Sequence, residues 1–416
     1  MLRYLILTIV INTFIACGNS KRLSNQNLSL LYNTDQTIIN PEYSVFHYKA
    51  DSSRLYFNLR SEHLLFKKND AGLFEAEVNI NFQLFDSYKS TAILDSGTIH
   101  LMYLQDTAKS YIGFLNFKML SGTAGILKIS CSDRYRNQTG IYFERINKVN
   151  SSSSQFYFLS DEDNQPLFSS ILSAGEKFKL HNNITPVSDL KVRYYNRIFP
   201  LAAPPFNSGD LPVFDLNADS SFLIKYSDTT LLFFTKPGIY HLQTNSSLKE
   251  GATIFVFKDG FPTPSSASQL IECLRYITTR KEHTQLNTSA DIKKAVDDYW
   301  LKIAGNRDQA RKLIREYYTR VQDANRLFSS YVEGWKTDRG MIYIIYGSPQ
   351  TIYRDDKNEQ WAYTNTGNLP DLDFIFEHVN NPFTNEDYNL IRSPVYETPW
   401  YMAVDEWRNG RIVNGY

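Results

Sequence analysis

EGWKTDRGMIYIIYGSPQ, Glu333 to Gln350, sets a tryptophan between a glycine and a polar turn, runs through apolar residues and stops at Gly-Ser-Pro. How this stretch folds decides the architecture of the last third of the chain. The run Met341 to Tyr346 does not alternate, so it predicts a short strand covered on both faces, released by Gly340 and ended by Gly347 and Pro349. Gly334 is expected to end the preceding helix through a positive φ. Trp335 is large enough to fill the gap between that helix and a sheet. Thr337 and Asp338 can accept hydrogen bonds from the free N–H groups of the turn. A competing expectation makes Trp335, Asp338 and Arg339 a surface recognition patch.

Upstream of the turn the apolar period is helical. LIECLRYITTR places Leu270, Ile271, Leu274 and Ile277 on one face. Thr288 with Asp291 predicts a capping box ahead of Ile292, Val296, Tyr299, Trp300 and Ile303, and Gly305 ends that helix. Asn306 is expected to cap a third helix whose buried face is Ala310, Leu313, Ile314, Tyr317, Val321, Ala324 and Phe328. Downstream, EQWAYT, DLDFIFEHV and DYNLIRS read as strands, and YETPWYMAVDEWRNGRI as a short helix or turn. All five tryptophans lie at or beyond Trp300. Residues 265–416 therefore predict an α+β domain of three helices and an antiparallel sheet.

Earlier residues repeat a two-residue period instead. In FEAEVNINFQLF, Ala76, Val78, Ile80, Phe82 and Leu84 alternate with polar residues, giving one dry and one wet face. Similar runs fill residues 44–149, an all-β domain. Asn150 to Ser154 reads as a flexible joint, and residues 155–258 form a second all-β domain. There KPGIYHLQT resembles the late hairpin of immunoglobulin-like domains, in which a turn precedes a strand with an inward Tyr. Pro200 to Pro212 reads as a long loop. The fold class is thus multidomain: two all-β, immunoglobulin-like sandwich modules followed by the α+β domain.

The chain has 416 residues, 44 Lys plus Arg and 44 Asp plus Glu, so no global field selects nucleic acid. Residues 1–16 read as a secretory signal, and a small residue before Cys17 resembles the lipobox of bacterial lipoproteins. That resemblance implies lipidation of Cys17, a tether over residues 17–43, and an outer-membrane position favouring the periplasmic face over the cell surface. Histidines stand singly, without HExxH, HxH or CxxC spacing, so the sequence implies neither a metal nor a cofactor. Cys131 falls on a dry strand face with Leu127 and Ile129. Glu377 and His378 would point to opposite faces of a strand and cannot act together.

Gly334-Trp335-Lys336-Thr337-Asp338 is identified as the motif of the GWxTD-domain family, with ANRLFSS before it and IYIIYGSP after it as similar surroundings. The resemblance implies a lipoprotein of diderm bacteria with β modules ahead of this domain, and it assigns no catalytic residue. With Arg339, the motif residues Gly334, Trp335, Thr337 and Asp338 are the candidate site. The expected role is a non-enzymatic interaction or scaffold subunit of a cell-envelope assembly, for secretion or outer-membrane protein biogenesis, with protein partners. The alternative is a carbohydrate- or peptidoglycan-directed binding protein or hydrolase, with a glycan as ligand.

Overall fold

The computed structural model describes residues 22–33, 39–136, 138–183, 188–209, 214–364 and 369–413. The expected signal segment and Cys17 lie outside them. Among the described residues the fold is mainly β-sheet, with several antiparallel sheets and six helices.

The first unit contains β1 (Glu42–Phe46), β2 (Ser52–Arg60), β3 (Lys67–Lys68), β4 (Phe74–Phe85), β5 (Asp95–Leu104), β6 (Ser110–Lys118), β7 (Ala124–Asp133) and β8 (Gln138–Asn147). Strands β1, β2 and β6 form one antiparallel sheet; in the other, β4 pairs with β3, β5 and β7, and β7 with β8. The two sheets share a core. Ala76, Val78, Ile80, Phe82 and Leu84 of β4 meet Leu55, Phe57 and Leu59 of β2 there, together with Leu127, Ile129 and Cys131 of β7. Alternation in β4 is thus realised from Val78 to Leu84, whereas Glu77 on the polar face is also buried and pairs with Arg134. Burial pushes the Cys131 thiol up to about 12, and Cys273 is likewise buried and free.

The second unit contains β9 (Tyr157–Ser160), β10 (Lys177–Asn182), β11 (Asp189–Tyr195), β12 (Ser220–Lys225), β13 (Leu231–Phe233), β14 (Gly238–Gln243) and β15 (Ala252–Val256). They form two antiparallel sheets, ordered β13-β10-β9 and β12-β11-β14-β15, around Phe178, Leu180, Leu190, Val192, Leu242 and Ile254. The expected flexible joint before this unit is pinned instead. Buried Gln155 accepts from the Asn147 N–H at 2.9 Å, and its carbonyl accepts from the His47 N–H at 2.8 Å. Ser153 Oγ donates to the Asn147 carbonyl at 2.8 Å. A Ser-rich composition signals flexibility only when its polar groups are left to water.

The third region holds α1 (Ala267–Cys273), α2 (Arg280–Asn287), α3 (Ile292–Ala304), α4 (Arg307–Phe328), α5 (Asp338–Tyr346) and α6 (Glu397–Arg408). Its antiparallel sheet runs β16 (Thr351–Arg354), β17 (Asn358–Tyr363), β18 (Leu372–His378) and β19 (Tyr388–Leu390). Six helices replace the expected three. Ser266 and Thr279 each form a capping box, with Gln269 and Glu282; the first expected helix stops at Cys273, leaving Leu274 and Ile277 beyond it, and α2 is an additional helix. Asp291 alone caps α3, while Thr288 closes α2. Asn306 caps α4 and Gly305 closes α3 with φ +75°, as their positions predict.

Met341 to Tyr346 is helix, not strand. Every residue of α5 is buried, and a helix buried all round loses its polar stripe and cannot be told from a buried strand by period. The deciding group is Thr337, whose Oγ1 accepts from the Gly340 N–H at 3.0 Å and starts the helix. The strand then comes later, as β16.

The expected tether needs correction over residues 22–33. Leu23, Leu28 and Tyr32 are buried in the same core as α4, α5 and the last sheet. The Leu28 N–H donates to the Ile352 carbonyl, and Asn27 Oδ1 accepts from the Ile352 N–H, both at 2.9 Å. Among the described residues, no helix is long and apolar enough to cross a membrane.

Candidate functional site around the Gly-Trp-Lys-Thr-Asp turn

The turn follows α4 and feeds α5, so it joins two helices rather than a helix and a sheet. Gly334 does not act through positive φ. A Cβ there would stand 1.9 Å from the Ala324 carbonyl oxygen, so only glycine lets the turn lie flat on α4. Its N–H donates to Ser329 Oγ at 2.8 Å. Trp335 is buried; its N–H donates to Asn325 Oδ1 at 3.0 Å, and Tyr276 OH donates to its carbonyl at 2.9 Å. Lys336 Nζ sits 5.3 Å from the Trp335 ring centre and pairs with Glu333.

Asp338 and Arg339, adjacent at the start of α5, enter two different polar clusters. Arg339 is 1% exposed. It reaches Glu386 at 2.9 Å, Glu359 at 3.6 Å and the Tyr32 hydroxyl at 3.4 Å, with Tyr388 4.1 Å beneath its guanidinium. Glu359 also accepts from Arg354 Nε at 2.7 Å, Trp361 Nε1 at 2.8 Å and Tyr32 OH at 3.2 Å. Burial opposes the charge of Glu359, but Arg354 and Arg339 outweigh it and hold the carboxyl below its usual range. Burial drives the Tyr32 hydroxyl far above its ordinary value, so it stays protonated and donates.

Asp338 faces the other way. It accepts from the Leu390 N–H at 2.7 Å and from Arg392 Nη1 and Nη2 at 3.0 and 2.5 Å. Arg392 Nη2 also donates to the Ala203 carbonyl at 3.2 Å, in the loop between β11 and β12. That loop and the turn enclose a cleft of about 420 Å³. Phe199 and Phe214 stack at 5.7 Å, and each meets Tyr331 edge-on, at 5.0 and 5.2 Å. Arg392 Nε, in a side chain 6% exposed, has no hydrogen-bond partner. Asp387 also lines the cleft and accepts from Asn381 Nδ2 at 2.7 Å; burial pushes its carboxyl up to about 6.

The structure therefore buries Gly334, Trp335, Asp338 and Arg339 and half-buries Thr337, which contradicts the expected surface patch. Only Thr337 and Asp338 of the predicted residues line the cleft. Cys17 lies outside the described residues. Arg392, Asp387, Phe199 and Phe214 escaped sequence reasoning because each sits far along the chain from the turn, and Tyr331, three residues before Gly334, escaped it as well. An arginine closing an apolar strand, as Arg392 closes YNLI, was the one local hint. Glu377 and His378 do diverge: His378 Nε2 contacts the Asn385 carbonyl at 3.0 Å, while Glu377 is exposed. Among the described residues, no cluster of three or more His, Cys, Asp or Glu side chains could hold a metal ion.

The family model of the GWxTD domain matches residues 238–409. The chain carries a GWxTD domain. The GWxTD match begins at β14 and so takes in the last two strands of the second β unit as well as all six helices. Those strands have a reason to belong: Ile239 and Phe255 pack with Phe383 of the last region. No curated protein matches the chain. Among solved structures, the chain is similar to a glycosyl hydrolase family 2 member from Bacteroides cellulosilyticus at 8% identity and TM-score 0.19, over 34% of this chain and 16% of that one. Red sea bream transglutaminase is similar at 10% identity and TM-score 0.20, over 53% of this chain and 32% of that one. A C-terminal intimin fragment, solved with its receptor's intimin-binding domain, reaches 9% identity and TM-score 0.13 over 85% and 99%. Likenesses this slight carry no shared fold or activity.

Proposed function

We propose that this GWxTD-domain protein is a lipoprotein of a diderm bacterium, anchored through Cys17 at the periplasmic face of the outer membrane. It serves there as a non-enzymatic interaction or scaffold subunit of a secretion or outer-membrane biogenesis assembly. Its first unit is a β-sandwich and its second an immunoglobulin-like one. Supporting the latter, Tyr240 in β14 donates from its hydroxyl to the Lys236 carbonyl at 2.8 Å, the corner expected of such domains.

The observation that carries the reading is an aromatic and cationic face shared by the two β units. Arg54 stands 4.0 Å from the Phe114 ring centre, 4.9 Å from Tyr48 and 5.6 Å from Tyr56. Tyr56 in turn stacks on Phe158 of β9 at 4.7 Å, and Phe46 lies 5.6 Å from the same ring. Phe114 is 47% exposed. Arginine and tyrosine are the residues on which protein interfaces most often depend, and this face exists only while both units are held together.

Membranes of the source cell, crosslinked and solubilised, provide the test. Wild-type chain should recover defined envelope proteins, Arg54→Glu should lose them at an unchanged melting temperature, and Cys17→Ser should release the chain from the membrane fraction. Recovery of the same partners by Arg54→Glu would remove the proposed face; retention of Cys17→Ser in the membrane would remove the anchor.

A further inference from the structure

The cleft between the β11–β12 loop and the turn has a composition that selects one chemistry. Among its described lining residues are three cations, Arg197, Lys336 and Arg392, and three carboxylates, Asp215, Asp338 and Asp387. Each cation already has an acidic partner: Arg197 has Asp215 and Asp219, Lys336 has Glu333, and Arg392 has Asp338. An anionic ligand would have to break one of these pairs, two of which are largely buried. A wholly apolar ligand would cover the Asp387 carboxylate and offer it no hydrogen bond, which costs free energy. What remains is a neutral ligand that both donates and accepts hydrogen bonds and has flat apolar faces.

We infer that this cleft binds a neutral carbohydrate. Pyranose rings present C–H faces to aromatic rings and hydroxyls at their edges, which matches Phe199, Phe214 and Tyr331 beside Asp387, Asn389 and Ser330. At about 420 Å³ the cleft lies within the range of small-ligand sites. A hydroxyl could donate to Asp387 while its oxygen accepts from Asn389 or Ser330, all three of them in the lining. The site is separate from the Arg54 face and is independent of the interaction role proposed above.

Titration calorimetry on the full mature chain tests this with cellobiose, maltose and N,N′-diacetylchitobiose, and with inorganic phosphate as the anionic contrast. At least one disaccharide should bind with a Kd at or below about 1 mM. Phe199→Ala and Asp387→Asn should each weaken it by about tenfold or more, and Arg54→Glu should leave it unchanged. Asp387→Asn is nearly isosteric, so its loss of binding at an undiminished melting temperature separates recognition from folding. The inference is overturned by silence from all three sugars at about 10 mM, by affinity that survives both substitutions, or by phosphate binding in their place.

Discussion

Two polar clusters flank the start of α5, one reached by Arg339 and the other by Asp338, and they are built to opposite standards. On the Arg339 side, Glu359 has Arg354, Arg339, Trp361 and Tyr32 as partners. On the Asp338 side, Arg392 keeps an unpartnered Nε and Asp387 is held at a raised carboxyl value. Buried charge is tolerated where every group is satisfied, and removing one member leaves the others stranded. A closed cluster therefore reads as architecture, and one left short reads as capacity for a ligand. Sequence adjacency conceals the difference, since one peptide bond separates the two side chains.

The comparison breaks most visibly at Arg339. Arg339→Ala should cost about 3–5 kcal/mol in urea unfolding, because Glu359 stays buried with one guanidinium fewer. A loss below about 1 kcal/mol would mean that the closed cluster is not what holds α5. Tyr32→Phe should cost less, about 1–3 kcal/mol, by removing a hydroxyl that donates to Glu359 and accepts from Arg354 at 2.9 Å. Hydrogen exchange sharpens that result: the Leu28 amide should lose protection, whereas the Leu390 amide, bonded to Asp338, should keep it. Equal loss at both would show that the two clusters behave as one.

An effect no larger than that of Tyr32→Phe should come from the other side, with opposite sign. The folded Asp387 carboxyl sits at about 6, above its ordinary value near 4. The folded chain thus holds a proton that the unfolded chain has released, and stability falls as pH rises from about 4 to about 6. Asp387→Asn should recover up to about 2–3 kcal/mol near neutral pH, with the gain vanishing toward pH 4. Thermal melts at the two pH values check it, and a gain independent of pH would refute the titration.

Legibility followed locality. Strand β4, the Asn306 cap and the Gly305 stop were readable because their causes lie within a few residues. Leu127, Ile129 and Cys131 were readable for the same reason. Met341 to Tyr346 was misread because burial on all sides erases the period that separates helix from strand, leaving only the Thr337 cap to tell them apart. Residues 22–33 looked like a tether because their few apolar side chains are widely spaced, and their partners come some three hundred residues later. The Arg339–Glu359 and Asp338–Arg392 pairs likewise cross distances at which no single sequence announces its contacts. At Gly334 the expected reason was conformational, whereas the structure shows a steric one.

The docking of Leu23 into the last core also fixes a length of leash. Leu23 is the sixth residue after Cys17, and extended chain spans at most about 3.6 Å per residue. An acyl group on Cys17 would hold the GWxTD region within about 20 Å of the lipid headgroups. The third region in sequence would then stand nearest the bilayer.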